Sequence, residues 1–485
     1  MKSYIKKLIT MRKSIIYLAL SGICLTVASC KVPQVTQQTE NKSVPAGYGN
    51  NADSSNVAAT QWRSFFADEN LANLIDTAVK NNQELQITLQ DIEIAKNDVR
   101  FRHGQLSPTV GASLGLGVEK VGRYTSQGAG DATTEITPGR EFPDPLTNYS
   151  AKIYANWEVD IWKKLHNAKK AAITRYLSSM EGRKFVLTNL VGEVANSYYE
   201  LLALDSQLAI VQQNIELQKN ALEIVKVQKE AMRVTELAVQ KYRAEVLNSQ
   251  SLEFEIRQQI TETENKINFL LARYPQEIPR THGDFLAMVP AAVRSGIPSQ
   301  LLANRPDIRQ AELELAAAKL DVKVARAEFY PSFGISAAFG LQAFNPSYLV
   351  KTPESLLYGL AGDLAGPLIN KNGIKAEFYS ANARQLQAMY NYERTILNAY
   401  MEVSTQLSNI SNLEKSYALK SKQVDALNKS IEISNDLFKS SRADYFEVLM
   451  TQRDALESKL DLIKTKQEQL IAVTNVYRNL GGGWK

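Results

Sequence analysis

The chain is 485 residues long, 44% apolar and 22% charged, a balance that excludes a disordered polymer. Its two cysteines, Cys24 and Cys30, both lie near the N-terminus, which excludes a disulfide framework and a thiolate zinc site. The formal charge of +5 rests on Lys2, Lys6, Lys7, Arg12 and Lys13; the residues after position 29 carry 51 basic and 51 acidic side chains, leaving no bulk charge to hold a nucleic acid.

Residues 1–29 have the order of an export leader: basic residues first, then apolar runs from Ile15 to Leu20 and from Ile23 to Val27. These runs are too short and too interrupted for a helix that spans a bilayer. They end in Val27-Ala28-Ser29-Cys30, and small residues before a cysteine resemble the bacterial lipoprotein cleavage box. That resemblance implies a thioether-linked lipid on Cys30, which cleavage makes the N-terminal residue. The alternative is an ordinary leader with an incidental cysteine. Residues 30–60, with Pro33, Pro45, Gly47 and Gly49 among Asn, Gln and Ser, predict a flexible lipidated tether.

Beyond the tether the chain reads twice. Ala95-Lys96-Asn97-Asp98-Val99 returns as Ala318-Lys319-Leu320-Asp321-Val322, and the offset of 223 continues from Pro108, Gly111, Ser113 and Gly117 to Pro331, Gly334, Ser336 and Gly340. A tandem duplication of 61–280 and 281–485 explains this. In the first repeat an opening helix is predicted over about 68–103, strands over 109–119 and 149–160, a long helix over about 163–231 and its partner over about 236–273. In the second, the opening helix starts near Arg305 with Pro306 in its first turn, where a missing N–H costs little. Strands follow over about 332–342 and, less regularly, 355–366. The long helix covers about 374–440 and its partner about 444–480.

The strands alternate. Val110, Ala112, Leu114, Leu116 and Val118 share one face against Thr109, Gly111, Ser113, Gly115 and Gly117 on the other. One apolar and one small or polar face fits a lipid-facing wall with a wet interior, and equally a half-buried soluble strand. The long helices carry apolar residues at strict sevens: Met180, Leu187, Val194, Leu201, Leu208, Ile215 and Leu222, then Met389, Ile396, Val403, Ile410, Tyr417, Val424, Ile431 and Phe438, with an offset of 209. A helix of roughly 68 residues is about 100 Å long and needs neighbours along its length. Period seven implies coiled-coil packing. Four strands cannot close a barrel, and lipid does not tolerate an open edge. Strands that span a membrane therefore demand several copies, and three copies give twelve strands.

At Leu302-Ala303-Asn304-Arg305-Pro306-Asp307-Ile308-Arg309-Gln310-Ala311-Glu312 the chain resembles the TolC-like outer membrane efflux proteins, in which such a stretch opens the second repeat. Trp62 to Phe66, Trp157-Glu158-Val159-Asp160-Ile161-Trp162, Ala443 to Leu449 and Leu480-Gly481-Gly482-Gly483-Trp484 support the likeness, which covers about residues 60–485. The resemblance implies an α+β membrane protein. It would be a homotrimeric channel-tunnel with a twelve-stranded outer membrane β-barrel, four strands per protomer, and a long periplasmic α-helical coiled-coil barrel. It implies a passive pore joined through a periplasmic adaptor protein to an inner-membrane pump of the resistance–nodulation–division (RND) type. The loops 121–148 and 343–354 would face outside and the helix turns would face the periplasm.

The family closes the periplasmic end at rest. A gate there needs side chains that narrow the lumen. Asp444 is the first candidate, since three copies would form an acidic ring. Arg442 is near enough to pair with a neighbouring helix, and Phe438 and Phe446 are candidates for an apolar constriction. Arg233 and Thr235 occupy the first turn. Asp444 is also placed to cap the helix that follows. Arg305, Pro306 and Asp307 are read as structural: a helix start with a local ion pair.

No HExxH, P-loop or GxGxxG motif occurs, and no enzyme, metal site or cofactor beyond the lipid on Cys30 is expected. The expected function is the outer membrane channel of a tripartite efflux system carrying drugs, toxic compounds or metal ions. Type I protein secretion through the same architecture is the alternative, as is a non-channel coiled-coil envelope lipoprotein.

Overall fold

The computed structural model describes residues 32–33, 38–48, 55–281, 283–366, 371–440 and 442–484. The leader, Cys30 and Ser441 lie outside the described residues. Within them the chain runs α1 (Glu69–Asn81), α2 (Gln83–Gly104), β1 (Thr109–Glu119), β2 (Leu146–Val159), α3 (Lys164–Glu230) and α4 (Glu236–Leu270). The order recurs as a four-residue helix (Leu301–Asn304), α5 (Pro306–Ala327), β3 (Ser332–Ala343), β4 (Leu356–Ala365), α6 (Asn372–Lys439) and α7 (Tyr445–Asn479). The long helices have 67 and 68 residues, and each partner has 35.

The chain forms two compact units. The first contains 94–176 and 314–389, and with them all four strands of one sheet. Its order β1-β2-β3-β4 follows the chain, and every neighbouring pair is antiparallel. The connections 120–145 and 344–355 leave from one end of the sheet, and all four helical segments join the other. The longer connection is not featureless, because it holds a short helix (Ser126–Thr133) and a two-stranded hairpin, Glu135–Thr137 with Arg140–Glu141. An apolar cluster of Ala325 and Phe329 with Phe378 and Ala381 joins α5 to α6 within this unit.

The second unit contains 40–93, 177–313 and 390–485. Its main core packs Leu71, Leu74 and Ile75 of α1 against Val191, Val194, Tyr198 and Leu201 of α3, with Ile267 of α4 and Ile463 and Leu470 of α7. The seven-residue stripe supplies much of this core. Val194 and Leu201 are fully buried, as is Val403 in α6, but Ile410, Tyr417, Ile431 and Phe438 are only half-covered.

Two expectations change. The opening helix of the first repeat is interrupted at Asn82, whose backbone is extended (φ −55°, ψ 127°). Asn82 is buried, its amide donates to the Leu270 carbonyl oxygen at 2.9 Å, and its side-chain oxygen caps Leu85 N–H at 3.0 Å. A continuous helix would withdraw that side chain from the end of α4. The tether is also not loose where it is described. Lys42 binds Glu312 at 3.0 Å, Asn41 N–H donates to Glu393, and Tyr48 is buried and stacked on Tyr400 at 5.5 Å.

Arg305 holds the corresponding place in the second half. Its guanidinium, 6% exposed, binds Asp307 at 2.6 and 3.0 Å, Glu402 of α6 at 2.8 Å and the Asn479 carbonyl oxygen at 2.9 Å. Burial pushes its proton affinity down, but Asp307 and Glu402 outweigh that and raise it. The local ion pair read from the sequence is thus present, with two long-range partners added. Arg305→Ala strands two carboxylates and a helix-end carbonyl, and a loss of about 3 kcal/mol is expected. Arg305→Lys, which lacks the planar fork, should lose about half of that. Thermal unfolding of the detergent-solubilised protein checks both.

Candidate functional site

Two surfaces are built for function: the sheet in the first unit and the helix turns in the second. In the sheet, paired residues share a face. Leu114, Ala151, Leu341 and Leu356 form one row across all four strands; Ala112, Ile153, Phe339 and Tyr358 form the next, and Val110, Ala155, Ala337 and Leu360 a third. Leu114 is 89% and Leu360 80% exposed. A soluble sheet would bury such a face, whereas here it stands open in the single chain. The other face carries Thr109, Asn156 and Ser336 in one row, Ser150 and Gln342 in another, and glycines that leave room for the larger side chains of β2. The fourth strand, irregular in sequence, pairs residue by residue with β3 from Ser332–Ala365 to Leu341–Leu356.

Aromatic residues mark both ends of the strands, as expected where a wall crosses a membrane interface. At the helix end, Trp157 donates to the Leu106 carbonyl oxygen at 3.0 Å, and Trp162 donates to that of Pro331 at 2.7 Å while stacking on Tyr330. At the loop end Phe142, Phe344 and Tyr348 pack together. The Trp157–Trp162 stretch is therefore the turn from strand to helix. Glu158 pairs with Lys164 at 2.7 Å, and the Asp160 carboxylate accepts the Leu165 and His166 N–H groups that open α3.

The helix turns are the second surface. Thr235 and Asp444 occupy matching N-cap positions before α4 and α7, and neither side chain makes a capping hydrogen bond. The capping role expected of Asp444 is thus not realised; its carboxylate is exposed. Arg233 and Arg442 are also exposed, and Arg442 makes no ion pair within the chain among the described residues. The first turn is closed by Met232 (φ 58°) and by Arg233 N–H donating to the Gln228 carbonyl oxygen at 2.8 Å; Arg442 repeats that bond to Leu437. Phe438 is half-buried, and Phe446 lies under the Lys241 ammonium at 4.5 Å. The sequence reading missed Lys241, and it missed Tyr242, buried in a cluster with Leu222, Val225 and Leu449. It also missed the Lys229–Glu236 pair across the first turn.

Among the described residues no group of three or more His, Cys, Asp and Glu side chains is placed to hold a metal ion, and no helix is long and apolar enough to cross a membrane.

The chain thus joins a four-stranded sheet with an exposed apolar face to two long helical hairpins. Residues 74–273 and 297–482 match the outer membrane efflux protein family, and the chain belongs to that family. It is an outer membrane protein and the outer membrane component of an efflux system. It is 27% identical over 424 residues to the pyoverdine export outer membrane protein OpmQ of Pseudomonas aeruginosa, with 87% of each chain covered. It is 25% identical to the probable outer membrane lipoprotein SilC of Salmonella typhimurium, with 93% of each covered. Its fold matches a crystal structure of a membrane protein from Pseudomonas aeruginosa with a TM-score of 0.82 and 24% identity, covering 93% of this chain and 97% of that one.

Hydrogen bonds from Lys229 and from Gln240 (2.6 Å) hold the Glu236 carboxyl below the usual carboxylate range. A lowered value means that this contact supports the turn above the ordinary range and is lost as pH falls through the folded-state value. Amide protection over 228–240, taken relative to the intrinsic exchange rate at each pH, should therefore fall on acidification, and Glu236→Gln should flatten that dependence.

Proposed function

We propose that three copies of the chain close one twelve-stranded barrel in the outer membrane, and that their long helices continue it as a periplasmic α-barrel. The observation that carries this reading is the sheet: one apolar face in register across four strands, and two edges, β1 and β4, each with a single neighbour. Lipid supplies no hydrogen-bond partner for such edges. Alternating strand directions place β4 of one copy antiparallel to β1 of the next, which closes the ring. The half-covered stripe of α6 supports the same assembly, since a neighbouring helix would cover it.

The conduit is passive. An RND-type inner-membrane pump supplies the energy, and a periplasmic adaptor joins the two; family membership supports both partners. The cargo is small molecules: drugs, toxic compounds or metal ions. The name of OpmQ, a pyoverdine exporter, favours small molecules over proteins. The lipid anchor is Cys30, supported by the leader and by the name of SilC. The halves 61–280 and 281–485 are read as a duplication, supported by the matched roles of Asn82 with Leu270 and of Arg305 with Asn479.

The closed gate is assigned to the helix turns, with Asp444 first, then Arg442, Phe446 and Phe438 in the second turn and Arg233 and Thr235 in the first. Exposure of Asp444 and Arg442, with no ion-pair partner for Arg442 among the described residues, supports that assignment. Asp444→Ala removes no capping bond, so its unfolding should stay within about 0.5 kcal/mol of the parent. Its conductance in a planar bilayer should rise. Unchanged conductance removes Asp444 from the gate.

Closure is tested with cysteine pairs scanned along β1 (110–118) and β4 (357–363). Non-reducing gels should show a ladder ending at three copies. A ladder ending at two, or none at any pair, overturns the barrel.

A further inference from the structure

The four strands contain four charged residues, Glu119, Lys152, Glu158 and Asp363, and all fall on the polar face. Three are acids at the strand ends. Lys152 is the one base and sits in the middle of β2, opposite Ser113 on one side and Gly340 on the other. It is half-buried and has no carboxylate partner among the described residues. Space is reserved for it, because a side chain at Gly340 would meet the Ala151 carbonyl oxygen and come within 2.7 Å of Lys152 Cβ.

We propose that Lys152 makes the middle of the barrel an anion-favouring band, drawing in cargo that carries carboxylate or other anionic groups. The inference rests on the polar face being the lumen. Glu158 and Asp363 flank Gly334 in one row, and Glu158 is already engaged by Lys164 at 2.7 Å. Six residues separate Lys152 from Glu158 along β2, about 20 Å at roughly 3.3 Å per residue. Glu119 is as far from Ser113 along β1. Both spans exceed twice the Debye length of about 8 Å at physiological salt. The acids at the ends therefore do not neutralise the band. Three copies place three like charges around one axis, where they repel, and the compensating charge must come from a mobile anion. A low-dielectric wall strengthens that attraction.

The test reads local potential without opening the periplasmic gate. Ser150→Cys puts a thiol one polar-face position from Lys152. The full-length protein in proteoliposomes is treated from the loop side with an anionic and, separately, a cationic methanethiosulfonate; the parent, with only its own cysteines, is the blank. With Lys152 present, the anionic-to-cationic rate ratio should exceed that of Ser150→Cys with Lys152→Gln. Lys152→Glu should invert it, and added salt should shrink the differences. If Lys152→Glu fails to insert, the Lys152→Gln comparison carries the test. Equal ratios with and without Lys152 overturn the anionic band while leaving the conduit standing. A thiol at 150 that neither reagent reaches, with a reactive Ala151→Cys on the other face, overturns the orientation of the wall and the band with it.

Discussion

A β-strand carries hydrogen-bonding groups on both sides, and β1 and β4 use one side each. The remaining architecture follows from that imbalance. The sheet exposes an apolar face in unbroken rows, and the lipid around the proposed barrel cannot satisfy the open edges. In the proposed barrel the edges find each other in other copies. The polar face needs no such partner, because small residues and amides can be wetted. Short aromatic belts at both strand ends then fix the depth at which the wall changes surroundings.

The second unit solves a different problem, how a 35-residue helix ends inside a packed bundle. The last carbonyls of such a helix have no partner of their own. Asn82 takes the Leu270 carbonyl in the first half, and Arg305 takes the Asn479 carbonyl in the second. Arg305 carries more, since it also gathers Asp307 and Glu402. The chain beyond α7 closes over the same place. Gly481 has φ +89°, and any side chain there would collide with the Asn304 backbone. Its counterpart in the first half is Ala272, in the same left-handed region at φ +53°.

The fold was largely legible because each element carries its own periodicity. Alternation located the first three strands, and the sevens located both long helices. The fourth strand was blurred because Leu357, Gly359 and Ala361 weaken the contrast between faces; pairing with β3 settles it. Asn82 was hidden inside a helical pattern, although an offset of 223 from Arg305 points to it. At Asp444 the sequence marks a cap position correctly, but whether a carboxylate turns toward the helix depends on local rotamers that no spacing records. The tether was misread where it docks. Polar composition argues for looseness, and only the facing residues Glu312, Glu393 and Tyr400 reveal what holds it.

The sequence by itself determined the order of the strands and long helices, the two faces of the strands and the stripe that packs the helices. All of these are local patterns, set by the periods of strand and helix. Only the tertiary structure decided which side chains meet across the chain: Asn82 with Leu270, Arg305 with Glu402 and Asn479, Lys241 with Phe446. It also decided which side chains have no carboxylate partner among the described residues, Lys152 among them. Such pairings join residues far apart in sequence, and they are fixed by the packing of surfaces that no single segment contains.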